Sequence, residues 1–275
     1  MHPARIAALL EPFLDEGCPT SRAVRDVGSP DADARKPRPQ PMGGTLSPSQ
    51  LDQISTYIDL LLRWNARINL TAIRDPEQIV PRHFGESFFL ARHLFPEPGV
   101  ESDRSKLEAQ SSKLVHVLDL GSGAGFPALP IKIWAPHIHL TLIESNHKKA
   151  AFLREVARAL TLTNVDVIAE RAQSLLPRLP KAHPIGRADS KADEPAAKVA
   201  FPLADVVTFR AVERFSQILP VAAMFLAPDA RLALLMSAPQ LEELQSIPSM
   251  TWQSIYTPQS HSRLLVMGTR NPTNT

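Results

Sequence analysis

Residues 115–128 read VHVLDLGSGAGFPA. Val115, Val117, Leu118 and Leu120 make a short apolar run suited to a buried strand, with Asp119 at its carboxyl end. Gly121, Gly123 and Gly125 follow at alternate positions. Glycine lets the chain turn sharply there, and without a Cβ the backbone N–H groups can come close to a ligand at the start of a helix. Pro127 is expected in the first helical turn, where its missing N–H costs nothing. The stretch therefore predicts the strand–turn–helix of a βαβ cofactor unit, with the active site at the turn.

The spacing G-x-G-x-G departs by one residue from the dinucleotide fingerprint G-x-G-x-x-G. Two acids weigh further against a nicotinamide oxidoreductase. Asp119, two residues ahead of the first glycine, would oppose a pyrophosphate. Glu144 ends the next apolar run, HLTLIES, where a carboxylate can hold both ribose hydroxyls. S-adenosylmethionine has no phosphate and carries a sulfonium and an ammonium group, so the pattern points to that cofactor.

The 275 residues allow one large domain or two small ones. Thirty Lys plus Arg against twenty-eight Asp plus Glu leave a net charge of +2, so any basic surface must come from local clustering. The single Cys18 excludes an internal disulfide and a cysteine zinc site. With no signal-like segment and no apolar run of membrane-spanning length, the expected location is the cytoplasm.

Ile6, Leu9, Leu10, Phe13 and Leu14 are spaced for a short amphipathic helix in residues 3–16, within an extension (1–44) whose remainder, 17–44, reads as disordered. Residues 45–96 form a helical module. It opens with Ser47, Pro48 and Gln50 as a capping box and carries the stripe Leu51, Ile54, Ile58, Leu61, Leu62. Asp75, Pro76 and Gln78 start a second helix that Pro81 should kink. His83 and Glu86 lie three apart and suit a hydrogen-bonded structural pair better than a metal site. After a polar connection at 97–113, the main domain spans 113–270. Beyond the first strand come strands at 139–144, 165–168, 205–209 and 231–236 and late β-rich runs at 252–256 and 264–267. Helices are expected at 146–160 and 218–226. Lys148, Lys149, Arg154 and Arg158 read as the first helix's solvent face. A Pro- and Lys-containing linker is inserted at about 180–202. Alternating strands and helices predict an α/β fold: a mainly parallel, doubly wound sheet of seven strands with helices on both faces, Rossmann-like, with an N-terminal helical extension.

With these segments placed, the chain from about Leu46 to Arg270 resembles the RsmG family, also called glucose-inhibited division protein B. The likeness rests on LLRWNARINLTAIRDPEQIVPRHFGES (61–87), VLDLGSGAGFPALPIKI (117–133) and LIESNHKKAAFL (142–153) in this order. It implies a class I S-adenosylmethionine-dependent methyltransferase acting on N7 of guanine 527 in 16S rRNA. It also implies cofactor contacts from Gly121, Gly123, Phe126, Glu144, Ser145, Asn146, Ala172, Gln173 and Arg210, with Glu144 on the ribose and Gln173 by the adenine. Arg210 has a second reading as a structural ion-pair partner, but the resemblance favours the cofactor pocket. Two departures stand out. HFGES has Glu86 where the family usually has Asp, with Gly85 expected to loosen the helix; LLMS (Met236, Ser237) stands where a lysine usually follows the fifth strand. An RNA-binding assembly factor with weak or no turnover, or a methyltransferase on another substrate, is the alternative.

Guanine N7 already presents a lone pair, so no general base, and no catalytic residue in that sense, is expected. Alignment and exclusion of water carry the reaction. The sequence FRAV after the fourth strand lacks the Asn/Asp-Pro-Pro-aromatic turn of amino-directed enzymes, and Cys18 lies too far off for covalent catalysis. Candidate RNA contacts are Arg63, Arg67, Asn69, Arg74, Arg82 and His83. The expected partner is 16S rRNA or the small ribosomal subunit, bound by a monomer without metal or membrane.

Overall fold

The strand His116–Leu120 (β1) is buried along its whole length, as a strand flanked on both sides and covered on both faces must be. In the computed structural model, which describes residues 1–15, 46–96, 114–179, 200–210 and 215–271, β1 pairs in parallel with His139–Ile143 (β2) and Ala204–Arg210 (β4). Outward from these lie Val165–Ile168 (β3), parallel to β2, and Leu226–Ser237 (β5), parallel to β4. Met250–Tyr256 (β6) and Arg263–Arg270 (β7) complete seven strands in the order β3-β2-β1-β4-β5-β7-β6, with β7 antiparallel to both neighbours. The chain leaves β1 towards β2 on one side and reaches β4 on the other. That reversal of order opens a crevice at the carboxyl ends of β1 and β4.

Two apolar clusters cover the faces. One joins β1 and β2 to Ala128–Trp134 (α5), His147–Ala159 (α6) and the N-terminal helices; the other packs Leu118, Leu120 and the β4–β5 residues against Ala172–Leu175 (α7) and Phe215–Met224 (α8). The helix expected at 218–226 thus starts and stops earlier, and β5 extends back to Leu226, because the chain reverses directly at Phe225. Phe152, Leu153 and Val156 bury the apolar side of α6, while Lys148, Arg154 and Arg158 are exposed. Pro127 is the residue ahead of α5 rather than inside its first turn.

The N-terminal module is bolted onto the sheet domain. Pro48–Asn65 (α2) carries the foreseen capping box, Ser47 N–H donating to Gln50 Oε1 (2.8 Å) and Gln50 N–H to Ser47 Oγ (3.2 Å). Gln50 Nε2 also donates to the Ile133 carbonyl at the end of α5, and Gln53 Nε2 to the Leu160 carbonyl at the end of α6. Pro3–Leu14 (α1) docks on the same module through Ile6, Leu10 and Phe13, all buried. Residues 17–44, 97–113 and most of 180–202 lie outside the described residues.

Pro76–Ile79 (α3) runs into a π-helical turn, Val80–Gly85, before Glu86–Leu94 (α4). Pro81, which cannot donate to the ladder, sits inside that turn, as its kinking role predicts. Gly85 does not loosen the helix. A Cβ there would lie 2.6–2.9 Å from the Phe13 ring, so glycine is what lets α1 approach.

Candidate active site

All three glycines after β1 adopt positive φ: 67° at Gly121, 54° at Gly123 and 87° at Gly125. Other residues are strained in this region. The turn is anchored by β2. Gly121 and Ser122 N–H donate to the Ile143 carbonyl (2.8 and 3.0 Å), and Gly123 N–H donates to Glu144 Oε2 (2.8 Å). Glu144 Oε1 accepts from Asn146 N–H at 2.8 Å, and the Asn146 side chain caps α6 by accepting from Lys148 and Lys149 N–H. One carboxylate thus joins the glycine turn to the start of α6. Gly121, Gly123, Glu144 and Asn146 are brought together as expected, with Ser145 and Asn146 exposed at the rim.

Asp119 is 1% exposed, and neither of its carboxylate oxygens has a hydrogen-bond partner among the described residues. Burial, opposed in part by the nearby Ser122 hydroxyl and helped by the charge of Glu144, raises its pKa well above the usual aspartate value. A cation beside it would reverse that shift. A Cβ on Gly123 would meet nothing nearer than the Gly121 carbonyl at 3.7 Å, so the backbone of the turn is open to a ligand. Buried unpartnered acceptors, an open turn and a second acid suit the ammonium, sulfonium and ribose of S-adenosylmethionine, and not a pyrophosphate.

The far side of the turn is held by aromatic packing. Phe126 is stacked between Tyr57 of α2 (centroids 5.2 Å apart, planes within 3°) and His83 (4.7 Å, 21°), with Phe84 edge-on at 5.1 Å. Tyr57 donates its hydroxyl to the Ala124 carbonyl at 2.5 Å. Burial pushes the Tyr57 phenol well above 10, so it remains a donor. Phe126 is therefore buried in this stack. Tyr57 escaped the sequence reading, although a signal was there: it shares the stripe of Ile54, Ile58 and Leu61, and a hydroxyl on an apolar face must find an acceptor.

The WN…NLT segment is a loop fastened by Asn65. Its Oδ1 accepts from Leu70 and Thr71 N–H (2.9 and 3.0 Å) and its Nδ2 donates to the Thr71 carbonyl (2.9 Å). Thr71 Oγ1 lies 2.8 Å from His83 Nε2. Arg63, Arg67, Asn69 and Arg74 are exposed around this loop. His83 instead is enclosed. Burial and the charges of Arg210, Arg82 and Arg263 lower its pKa to about 3, leaving the ring neutral at physiological pH.

The expected His83–Glu86 pair does not form. The wider π turn sets residues three apart off a common face, and Glu86 is claimed by three guanidinium groups. Its Oε1 accepts from Arg82 Nη1 at 2.7 Å; its Oε2 is 3.0 Å from Arg210 Nη2 and 3.2 Å from Arg263 Nη2. The Glu86 side chain is 3% exposed, Arg210 7%, Arg263 20% and Arg82 42%. Arg210 Nη2 also donates to the Arg82 carbonyl at 2.7 Å. Burial lowers the Arg210 pKa to about 10, so the group stays charged. Arg210 is an ion-pair partner at the end of β4, and its Nη1 remains without a partner among the described residues. Sequence reading missed Arg263, whose importance depends on strand register: it faces Ser237 across the β5–β7 ladder, at the end of the LLMS segment near which the resemblance expects a lysine.

Gln173 is exposed at the start of α7, and the Ala172 side chain is buried in the apolar cluster with Leu118, Leu120 and Ile143. Among the described residues no group of three or more His, Cys, Asp or Glu could hold a metal, and no helix is long and apolar enough to cross a membrane.

Comparison with known proteins adds the family. The chain is similar to the ribosomal RNA small subunit methyltransferase G of Bacillus pumilus, with 30% identity over 208 residues, covering 74% of this chain and 71% of that protein. Against the protein of the same name from Chloroflexus aggregans, identity is 42% over 133 residues, covering about half of each: 48% of this chain and 49% of the relative. A crystal structure of TrmN from Thermus thermophilus superposes with a TM-score of 0.43 at 19% identity, covering 69% of this chain and 53% of that one. The family model described as rRNA small subunit methyltransferase G (GidB) matches residues 50–255, and the chain belongs to that family.

Proposed function

We propose that this chain transfers a methyl group to N7 of a guanine in 16S rRNA, with S-adenosylmethionine as donor. The observation that carries the reading is Asp119: a buried, unpartnered acid beneath three positive-φ glycines, with Glu144 beside it. When bound, S-adenosylmethionine supplies an electrophilic methyl group on a cationic sulfur. Asp119 and Glu144 offer the negative charge and acceptors to hold it, Gly121 and Gly123 the open backbone, and Ser145 and Asn146 the rim; Ala172 and Gln173 would border the adenine.

The remaining work is alignment. Guanine N7 attacks with its own lone pair, so no residue need take a proton from the nucleophile. The Tyr57–Phe126–His83 stack packs the turn against the N-terminal module. The exposed Arg63, Arg67, Arg74 and Asn69 supply contacts for an RNA backbone. The reading also names the small ribosomal subunit or its rRNA as partner and a monomer as the acting form.

The test is incubation with labelled S-adenosylmethionine and small subunits from cells lacking this methylation, followed by cleavage at N7-methylguanine. Label at one guanine, lost in Gly123→Val, is expected. Cofactor binding without label would overturn the reading in favour of an assembly factor.

A further inference from the structure

Four charged side chains meet at the carboxyl end of β4 and the amino end of β7, and their balance is uneven. Glu86 is one carboxylate for three guanidinium groups, which leaves a formal excess of two positive charges in a largely buried place. Three like charges drawn onto one acid repel one another, and an added anion would relieve that repulsion. Buried donors also stand open. Arg210 Nη1, on a side chain more than nine-tenths buried, has no acceptor among the described residues, and neither has Arg263 Nε. The cluster is not sealed: Arg82 and Arg263 reach solvent, while Arg210 forms the floor.

Its position fixes what it could serve. His83, next to Arg82 in the chain, stacks on Phe126 of the glycine turn. Arg210 ends β4 two residues past Thr208, the partner of Asp119, so the cluster borders the turn on the β4 side of β1, whereas Glu144 follows β2 on the opposite side. We propose that Arg210 and Arg263, held by Glu86 together with Arg82, bind one phosphodiester of the RNA strand that carries the target guanine. The inference rests on the function proposed above. A diester's two non-bridging oxygens match two guanidinium edges, the geometry in which arginine exceeds lysine. Glu86 is a positioning residue. It holds the guanidinium groups in one orientation and does not touch the RNA. Arg263 is the informative side chain because it is more open than Arg210 and comes from an antiparallel strand outside the glycine-turn unit.

The test compares wild type with Arg263→Gln and Arg263→Lys. RNA affinity is measured by filter binding of unmethylated 16S rRNA at several salt concentrations, S-adenosylmethionine affinity by calorimetry, and folding by thermal denaturation. For Arg263→Gln the expected result is about tenfold weaker RNA binding near 0.1 M salt. The salt slope should be shallower by about 0.7, one phosphate contact on single-stranded RNA, with cofactor affinity unchanged. Arg263→Lys should recover the slope and part of the affinity. Unchanged RNA affinity and slope in a folded Arg263→Gln would overturn the proposal. So would a loss of cofactor affinity alone, which would assign the anion to the methionine carboxylate. If the wild type binds RNA with these signatures but yields no methylated guanine, the proposed reaction fails while the phosphate site stands.

Discussion

Replacing Glu86 by glutamine keeps its size and removes its charge, and the structure sets the consequence. The carboxylate is 3% exposed and accepts from Arg82 at 2.7 Å, with Arg210 at 3.0 Å and Arg263 at 3.2 Å. Arg82, 42% exposed, contributes at most about 1 kcal/mol because water screens it. Arg210 dominates: at 7% exposure it would be left charged and buried with an amide N–H₂ group able to point donor at donor. Breaking a buried pair by removing one partner costs about 3–5 kcal/mol. At about 2–4 °C per kcal/mol for a domain of this size, melting should fall by about 6–20 °C. Glu86→Asp keeps the charge and should lose much less. Removing both partners in Glu86→Gln/Arg210→Met should be milder than the two single losses added together, since the most deeply buried charge is then gone and only Arg82 and Arg263, which reach solvent, have lost their acid. Urea and thermal unfolding of wild type, Glu86→Gln, Glu86→Asp, Arg210→Met and the double variant measure this. A Glu86→Gln protein within about 1 kcal/mol of wild type, or strictly additive losses, would refute the view of Glu86 as the hub of the cluster.

Gly85→Ala should destabilise by about 1–3 kcal/mol because its Cβ meets the Phe13 ring at 2.6 Å. Pairing it with Phe13→Leu should recover part of that loss in the same unfolding assay. Tyr57→Phe leaves the buried Ala124 carbonyl without its donor, an expected loss of about 1–3 kcal/mol, with weaker cofactor binding by calorimetry because the glycine turn loses an anchor. His83 gives a pH dependence. Its pKa falls from 6.5 in the unfolded chain to about 3 in the folded one, so below pH 6.5 the unfolded state takes up a proton that the native state does not. The stabilisation is complete above pH 6.5 and is lost on acidification towards pH 3, at about 1.4 kcal/mol per unit. Between pH 7 and 5 this is a loss of about 2 kcal/mol, which His83→Gln should largely abolish in urea titrations.

How far the sequence could be read depended on whether a feature is local. The strand-and-glycine turn, the capping box at Ser47 and Gln50, and the acid at Glu144 are written in spacing, and each stands where spacing put it. The Glu86 cluster is not local. Its arginines come from positions 82, 210 and 263, and only the closing of the sheet and the β5–β7 register bring them to one carboxylate. The lysine missing from the Met236–Ser237 segment stood out as a departure for the same reason: nothing local shows that Arg263 faces Ser237 across the ladder. Gly85 was misread because a glycine in a helix looks like weakness until the ring it admits is known, and α1 carries no local sign of where it docks.

The measurement that tests the central claim most directly is made in cells. A strain without its own 16S rRNA guanine-N7 methylation at the decoding-region loop is given this chain or its Gly123→Val variant, and its rRNA is mapped by cleavage at N7-methylguanine. The account predicts one new cleavage with the wild-type chain and none with the variant. Absence of cleavage despite folded, expressed protein, or cleavage with both, would contradict it.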